Sequence, residues 1–223
     1  DFYRGDLAKR LVNGLNEAGG VFTDADFAGH QADVYHPIAT TYRGHNVYQT
    51  RPPSQGFLLL EMLNLLESFP LSSMKHNSPE AIHLMVEAKK LAFIDREAFM
   101  ADPDHTDVPT LGLISKEYAA ERVGLIDPER ALPEQAAPGD PWKYSQGNGQ
   151  VPVTAGIAAS SNGSSEDSNH EGTTHVSVID NDGNMVCGTI SGGAFVKSVF
   201  FPDLGCALST RIEMFNCEEG HPN

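Results

Sequence analysis

The residues most suggestive of chemistry lie where a polar, acidic stretch meets a threonine. Residues 160–172 read SSNGSSEDSNHEG and contain almost nothing to bury, whereas Thr173 begins a segment in which valines alternate with other residues. A threonine hydroxyl is a poor nucleophile, but an N-terminal threonine carries its own base, since a free α-amine titrates at roughly pH 7.7–8.0. A break between Gly172 and Thr173 would therefore create an activated nucleophile.

The same junction suggests how the break could arise. The Thr173 hydroxyl could attack the carbonyl carbon of Gly172, and the resulting ester would then hydrolyse. The ordinary explanation of Thr173-Thr174 is β-propensity, because β-branched residues are common in strands. The residue pattern alone leaves both interpretations open.

The segment after Thr173 predicts a β-hairpin. Val176 and Val178 alternate with other residues, the sequence NDGN at 181–184 is typical of a turn, and residues 185–190 return. We expect His175 to point into a sheet interface and to make a structural hydrogen bond. Further strands are predicted at 195–201 and 205–210.

The first 130 residues predict helices and one hairpin. Ser78 can cap a helix that begins at Pro79 and runs to about Met100. Its apolar residues at helical spacing predict one buried face, formed by Leu84, Ala88, Leu91, Ala92 and Phe99. Other helices are predicted at 6–18, from 24, at 57–67 and at 115–123, with a hairpin at 39–50. Residues 131–172, rich in Pro, Gly, Ser and Asn, predict a flexible linker or exposed loop.

Composition narrows the possible partners. The formal net charge is −15, with no cluster of Lys or Arg, which argues against nucleic acid. No apolar run of about 18 residues is present, so we expect no membrane span. The nine histidines lack metal-site spacing, and no metal or organic cofactor is expected. The three cysteines, Cys187, Cys206 and Cys217, are either buried thiols or include a Cys206–Cys217 bridge.

Several blocks of sequence together resemble the γ-glutamyltransferase (glutathione hydrolase) family. The run TTHVSVID at 173–180, followed by DGN at 182–184, is similar to the start of that family's small subunit. RIEMF at 211–215 and GHPN at 220–223 resemble a later block. Upstream, FYRG at 2–5, YRGH at 42–45 and PPSQG at 52–56 are similar to the large subunit. The resemblance runs in order through nearly the whole chain.

The resemblance implies a fold and a domain organisation. It predicts an α+β chain that forms part of an N-terminal-nucleophile αββα sandwich. Residues 1–130 would be a large-subunit-like region, 131–172 the linker before the cleavage point, and 173–223 the start of a small-subunit-like β region. Self-cleavage would give a heterodimer of large and small subunits.

The resemblance also implies site residues. Thr173 would be the nucleophile and its amine the base, in a γ-glutamyl acyltransferase or amide hydrolase acting on a small-molecule amide. Ser191 matches, with one gap, a second hydroxyl that hydrogen-bonds the nucleophile, although a solvent-facing loop serine is an equal alternative. The positions implied for substrate binding are Gly193, Ser209, Thr210, Arg211, Glu213 and Met214.

Two of these positions depart from the family pattern for gripping a substrate α-amino group. Met214 cannot pair with an ammonium, and Arg211 would repel one while attracting a carboxylate. Two further functions are therefore open: an amidase or acylase for an acyl group without an α-ammonium, such as an oxamate-like group or a dicarboxylic monoamide, and a non-catalytic relative.

Parts of the family site have no match in this sequence. They are an upstream Arg for the α-carboxylate and a downstream Ser-Ser and Gly-Gly pair that includes the oxyanion hole. The chain also begins inside an apparent helix, at Asp1 and without Met. We therefore expect a central fragment of a precursor. The compartment in which it acts is left open.

Overall fold

The described residues fall into two units. A computed structural model describes residues 1–32, 34–133, 136–145, 173–191, 198–202, 204–209 and 220–222. The first unit is drawn from Asp1–Val34 and Ser161–Phe215, and the second from Tyr35–Ser160 and Asn216–Asn223.

Helices and strands together make the chain α+β, as the sequence predicts. The helices are α1 (Asp6–Glu17), α2 (Asp24–Gly29), α3 (Gly56–Leu66), α4 (Pro79–Phe99), α5 (Thr110–Leu113) and α6 (Lys116–Arg122). The strands are β1 (Ile38–Tyr42), β2 (His45–Gln49), β3 (Thr173–Ile179), β4 (Met185–Ser191), β5 (Phe200–Phe201) and β6 (Cys206–Ala207). They form three antiparallel pairs, β1–β2, β3–β4 and β5–β6.

Helices α3 and α4 form the centre of the second unit. The Ser78 hydroxyl caps α4 by accepting from the Ala81 N–H at 3.3 Å, and Pro79 begins the helix, both as predicted. The predicted buried face of α4 is confirmed. It packs into two apolar clusters with residues of α3, α5 and α6, among them Phe57, Leu60, Leu65, Leu113 and Tyr118.

The β1–β2 hairpin is joined to α3 through one buried amide. Asn64 accepts a hydrogen bond from the Thr40 hydroxyl at 2.7 Å and donates one to the Ile114 carbonyl at 2.7 Å. The hairpin turns at Arg43 and Gly44, which both have positive φ. Such a turn matches the twist of the strands, and the predicted hairpin is confirmed.

A cluster of buried polar side chains lies inside the second unit. Asp95 is fully buried and accepts hydrogen bonds from the Tyr118 hydroxyl at 2.7 Å and from Arg122 Nη2 at 3.1 Å. Glu61 is also buried. Its burial, together with the nearby Asp95 carboxylate, raises the pKa of Glu61 well above the ordinary value. Glu61 therefore stays protonated at pH values where an exposed glutamate is ionised.

Replacing Glu61 by glutamine should stabilise the protein at neutral pH. The contribution of Glu61 to the free energy of unfolding falls as pH rises above about 4.3, because the folded state keeps a proton that the unfolded state releases. Glutamine removes this penalty, so the variant should gain about 1–3 kcal/mol at pH 7 and lose the advantage near pH 4. Urea unfolding at several pH values measures the difference.

Glu67, which follows α3, is a suitable control because its pKa is shifted in the opposite direction. The Lys116 ammonium, with the Arg43 N–H, lowers the pKa of Glu67. Its contribution to stability is present above the unfolded pKa and is lost as pH falls through the folded pKa. Glu67→Gln should therefore destabilise the protein at neutral pH and have no effect in acid. Parallel pH profiles for the two variants would contradict this account.

The described part of the stretch 131–172 is attached to α4 and α6. The Leu132 N–H donates to Glu87 at 2.6 Å, the Gly139 N–H donates to Asp95 at 3.0 Å, and Arg122 donates to the Ala137 carbonyl at 3.1 Å. Residues Pro141–Tyr144 form a 3₁₀ helix. These contacts fit the exposed-loop alternative and not a flexible linker, because buried carboxylates accept main-chain N–H groups that composition does not reveal. Residues 146–172 lie outside the described residues.

The first unit has a small core between α1 and the β5–β6 pair. Leu11 and Leu15 of α1 pack against Phe201, and all three are buried. Gly14 allows this approach, since a Cβ there would lie 2.5 Å from the Phe201 ring. Helix α2 begins after Thr23, as predicted, with the Thr23 N–H bound by Asp26 at 2.7 Å. No helix among the described residues has the length and apolarity needed to cross a bilayer.

Candidate active site

The β3–β4 hairpin places two predicted site residues opposite each other. Thr173 is the first residue of β3, Ser191 is the last residue of β4, and they pair directly in the antiparallel register. Directly paired positions lie on one face of a sheet, with Cβ atoms generally about 4.5–5.5 Å apart. The register therefore brings together the two hydroxyl residues predicted to be catalytic. Ser191 is half-buried.

The turn between the strands is fixed by one carboxylate. Asp180 Oδ1 accepts from the N–H groups of Asp182 and Asn184, each at 2.9 Å, and its Oδ2 accepts from the Asn184 side chain at 2.8 Å. These bonds, first the one from the Asn184 side chain, lower the pKa of Asp180. Gly183 adopts a φ of 82°, which other residues rarely do. The turn thereby sets the register at the far end of the hairpin.

Alanine at Gly183 should weaken the hairpin, and alanine at Gly188 should not. The positive φ of Gly183 costs an L-residue about 1–2 kcal/mol, although there is space for a Cβ. Gly188 lies in β4 and also has space, so alanine there should be neutral or stabilising by about 0.5–1 kcal/mol. Amide hydrogen exchange of residues 173–191 measures both effects. Equal exchange in the two variants would show that the turn does not control the hairpin.

A row of polar side chains continues from Ser191 along the same face of the hairpin. His175 pairs with Thr189, and Ser177 pairs with Cys187. His175 Nδ1 lies 2.8 Å from the Thr189 hydroxyl and its Nε2 lies 2.8 Å from the Ser177 hydroxyl. The predicted hydrogen bond of His175 is thus confirmed. Its ring is exposed in the described part of the chain and does not lie in a sheet interface.

Sequence reasoning missed Thr189 and Ser177 as neighbours of the site. The signal was available, because a turn at 181–184 with regular pairing puts 175 opposite 189. Period-two alternation then places 173, 175 and 177 on one face. Only the register of the two strands shows that these residues are neighbours on one face of the hairpin.

The other predicted site residues are less informative. Ser209 follows β6 and is exposed. Gly193, Thr210, Arg211, Glu213 and Met214 lie outside the described residues, so their roles stay predictions. Cys187 is an exposed free thiol, which corrects the expectation of burial at that position. Among the residues that the structure describes, no group of three or more His, Cys, Asp or Glu side chains could hold a metal ion.

The chain is similar in sequence to known proteins. The family model described as gamma-glutamyltranspeptidase matches residues 1–223. A Bacillus subtilis protein described as a glutathione hydrolase-like proenzyme is 34% identical over 233 residues, covering 100% of this chain and 37% of that protein. The acylase ACY 1 proenzyme of a Pseudomonas species is 34% identical over 220 residues, covering 98% of this chain and 35% of that protein.

A solved structure gives the same relationship in three dimensions. The cephalosporin acylase of Bacillus halodurans aligns with a TM-score of 0.72 and 29% sequence identity, covering 99% of this chain and 35% of that one. This chain thus spans little more than a third of the length of the relatives that it matches. The match of the family model from the first residue to the last shows that the chain belongs to the gamma-glutamyltranspeptidase family.

Proposed function

We propose that this protein is an amide hydrolase or acyltransferase of the γ-glutamyltransferase type, with Thr173 as its nucleophile. The observation that carries the proposal is the register that pairs Thr173, at the start of β3, with Ser191. Family membership supports it, because the relatives are named as hydrolase and acylase proenzymes. The register supports the proposal because it pairs the proposed nucleophile with the second hydroxyl residue that the resemblance implies.

Self-cleavage would generate the nucleophile. Thr173 Oγ attacks the carbonyl carbon of Gly172, the peptide C–N bond breaks, and the Thr173 nitrogen takes up the proton that the hydroxyl loses. The result is an ester between Gly172 and Thr173 Oγ. Water hydrolyses this ester, leaving a Gly172 carboxylate and a Thr173 with a free amine.

Turnover would follow the same chemistry on an external amide. The Thr173 amine accepts the hydroxyl proton while Oγ attacks the substrate carbonyl carbon. The substrate C–N bond then breaks and the amine returns the proton to the leaving nitrogen. Water or an acceptor amine attacks the ester, losing a proton to the Thr173 amine, and Oγ recovers that proton as the acid or new amide departs. Ser191 would hydrogen-bond Oγ during these steps.

The proposal includes the arrangement of the cleaved chain. Residues 1–130 would belong to the large-subunit part, 131–172 would precede the cut, and 173–223 would begin the small-subunit part, as in an αββα sandwich. The mixture of helices and antiparallel strand pairs supports this arrangement. The two parts would remain associated as a heterodimer.

A second candidate function differs only in the acyl group. Arg211 and Met214 occupy positions that the resemblance assigns to binding the substrate α-amino group, and neither side chain favours an ammonium. An acyl group that ends in a carboxylate and lacks the amine would suit them better. Two of the relatives are named as acylases, which supports this second candidate.

A matched pair of substrates separates the two candidates. γ-Glutamyl-p-nitroanilide and glutaryl-p-nitroanilide differ only by the α-amino group, and both release a coloured amine. The second candidate predicts that the glutaryl compound is hydrolysed with at least the kcat/KM of the γ-glutamyl compound, whereas the first predicts that the γ-glutamyl compound is preferred. A preference of more than tenfold for the γ-glutamyl compound would reject the acylase alternative and support the γ-glutamyltransferase hypothesis.

A further inference from the structure

The Thr173–Ser191 pair lies at the open end of its hairpin. Among the described residues it is the last pair of the β3–β4 ladder, and the turn at 180–184 is at the opposite end. The ends of strands open locally at a low free energy compared with core elements. Cleavage at Gly172 would make this end a chain terminus. Some interaction near the open end must therefore keep a nucleophile there in register.

Packing on the opposite face of the hairpin does not supply that interaction within the described residues. Val176, Val178 and Val186 point to that face, and they are 48%, 56% and 70% exposed. Within the described residues, the contacts that join β3 to β4 are main-chain hydrogen bonds and the side-chain contacts on the face that carries His175.

We propose that His175 is a positioning residue for the nucleophile, acting through its hydrogen bond to Thr189 across the strand pair. This bond joins β3 to β4 one same-face step, about 6.6–6.8 Å, from the Thr173–Ser191 pair. The inference rests on the proposed function, since the position of Thr173 matters to chemistry only if Thr173 reacts.

Histidine suits this task because both of its ring nitrogens are engaged. A neutral imidazole has one donor and one acceptor nitrogen, while the hydroxyls of Thr189 and Ser177 can either donate or accept. Both 2.8 Å contacts are therefore satisfied in either tautomer. The Ser177 contact lies within β3. Only the Thr189 contact crosses between strands.

The two nitrogens can be tested separately. The side-chain polar atoms of asparagine match the position of Nδ1, so the side chain in His175→Asn can still hydrogen-bond Thr189. The polar atoms of glutamine extend to the position of Nε2, so His175→Gln keeps the reach to Ser177 and loses Thr189. Thr189→Val removes the cross-strand bond from the other side. Ser177→Ala is the matched control, since it deletes a bond of equal length to the same ring.

Rates of self-cleavage and of p-nitroanilide release distinguish a cross-strand role from a general structural one. His175→Gln and Thr189→Val should each slow both reactions about three- to tenfold, in kcat rather than KM. His175→Asn and Ser177→Ala should stay within about twofold of wild type. The double variant His175→Gln/Thr189→Val should be no slower than either single variant, because the bond can be lost only once. Additive losses, or an asparagine variant as slow as the glutamine variant, overturn the proposal.

A second measurement separates failure of this inference from failure of the proposed function. In the uncleaved Thr173→Ala protein, hydrogen exchange at the open end of the hairpin reports positioning without any chemistry. Exchange there should accelerate about three- to tenfold on adding Thr189→Val and remain unchanged on adding Ser177→Ala. Unchanged exchange with Thr189→Val rejects the positioning role. Accelerated exchange in a protein whose wild type never cleaves retains the positioning contact and rejects the nucleophile.

Discussion

Replacing Thr173 by alanine is expected to abolish both self-cleavage and amide turnover. Alanine has no hydroxyl to attack the Gly172 carbonyl, so the chain stays continuous and no free amine forms at position 173. Both reactions should fall to the level of the uncatalysed background, a loss of several orders of magnitude. Gel electrophoresis over time and p-nitroanilide release measure the two reactions on the same sample.

The conservative control is Thr173→Ser. Serine keeps the hydroxyl and the amine, so the variant should still cleave and turn over, although more slowly, since it lacks the methyl group that restricts the rotamer. Thr174→Ala, one residue further along β3, should cleave normally. Cleavage at the same junction in Thr173→Ala would show that another group or a contaminating protease breaks the bond, and the nucleophile assignment would be wrong.

Replacing Asp95 by alanine should produce the largest loss of stability. The change leaves the buried Arg122 guanidinium without its carboxylate and removes the acceptor for both the Tyr118 hydroxyl and the Gly139 N–H. Removing one partner of a buried ion pair costs about 3–5 kcal/mol. Urea unfolding followed by tryptophan fluorescence is a direct measure, because the single tryptophan, Trp142, packs against the same core.

Asp6→Ala is the matched control for Asp95→Ala. Asp6 and Lys9 form an ion pair 3.7 Å apart, and both side chains are largely exposed. Loss of such a pair should change stability by less than about 1 kcal/mol. If Asp95→Ala does not fold, Tyr118→Phe tests the same cluster by removing one hydrogen bond, at a cost of about 1 kcal/mol. A loss below 1 kcal/mol for Asp95→Ala, or none for Tyr118→Phe, would contradict the role of the cluster.

Local signals made much of the fold predictable. The cap at Ser78 and proline at 79 specify where α4 begins, and the helical spacing of its apolar residues specifies its buried face. The turn residues at 43–44 and 181–184 specify two hairpins. Each of these features depends on residues close together in the chain, which is why composition and spacing reveal them.

Contacts between distant residues were not predictable in the same way. Asp95 bonds to Arg122 and to Gly139, which are 27 and 44 residues away, and neither spacing nor composition indicates these pairings. In the sequence, residues 136–145 are typical of a flexible linker. The buried side chains that hold them in place lie elsewhere in the chain, so the composition of this stretch does not reveal them.

The candidate site lies between these extremes. The resemblance to a family predicts that Thr173 and Ser191 act together, and the turn fixes the register that places them opposite each other. The bond between His175 and Thr189 follows from that register and from side-chain rotamers, which a sequence does not display.

Mass spectrometry combined with N-terminal sequencing of the purified wild-type protein tests the central claim most directly. The account predicts that the chain separates into two fragments whose masses sum to that of the intact chain plus one water, with a free amine on Thr173 at the start of the second. A chain that stays continuous through Gly172 after prolonged incubation, or a new N-terminus at any other residue, would contradict it.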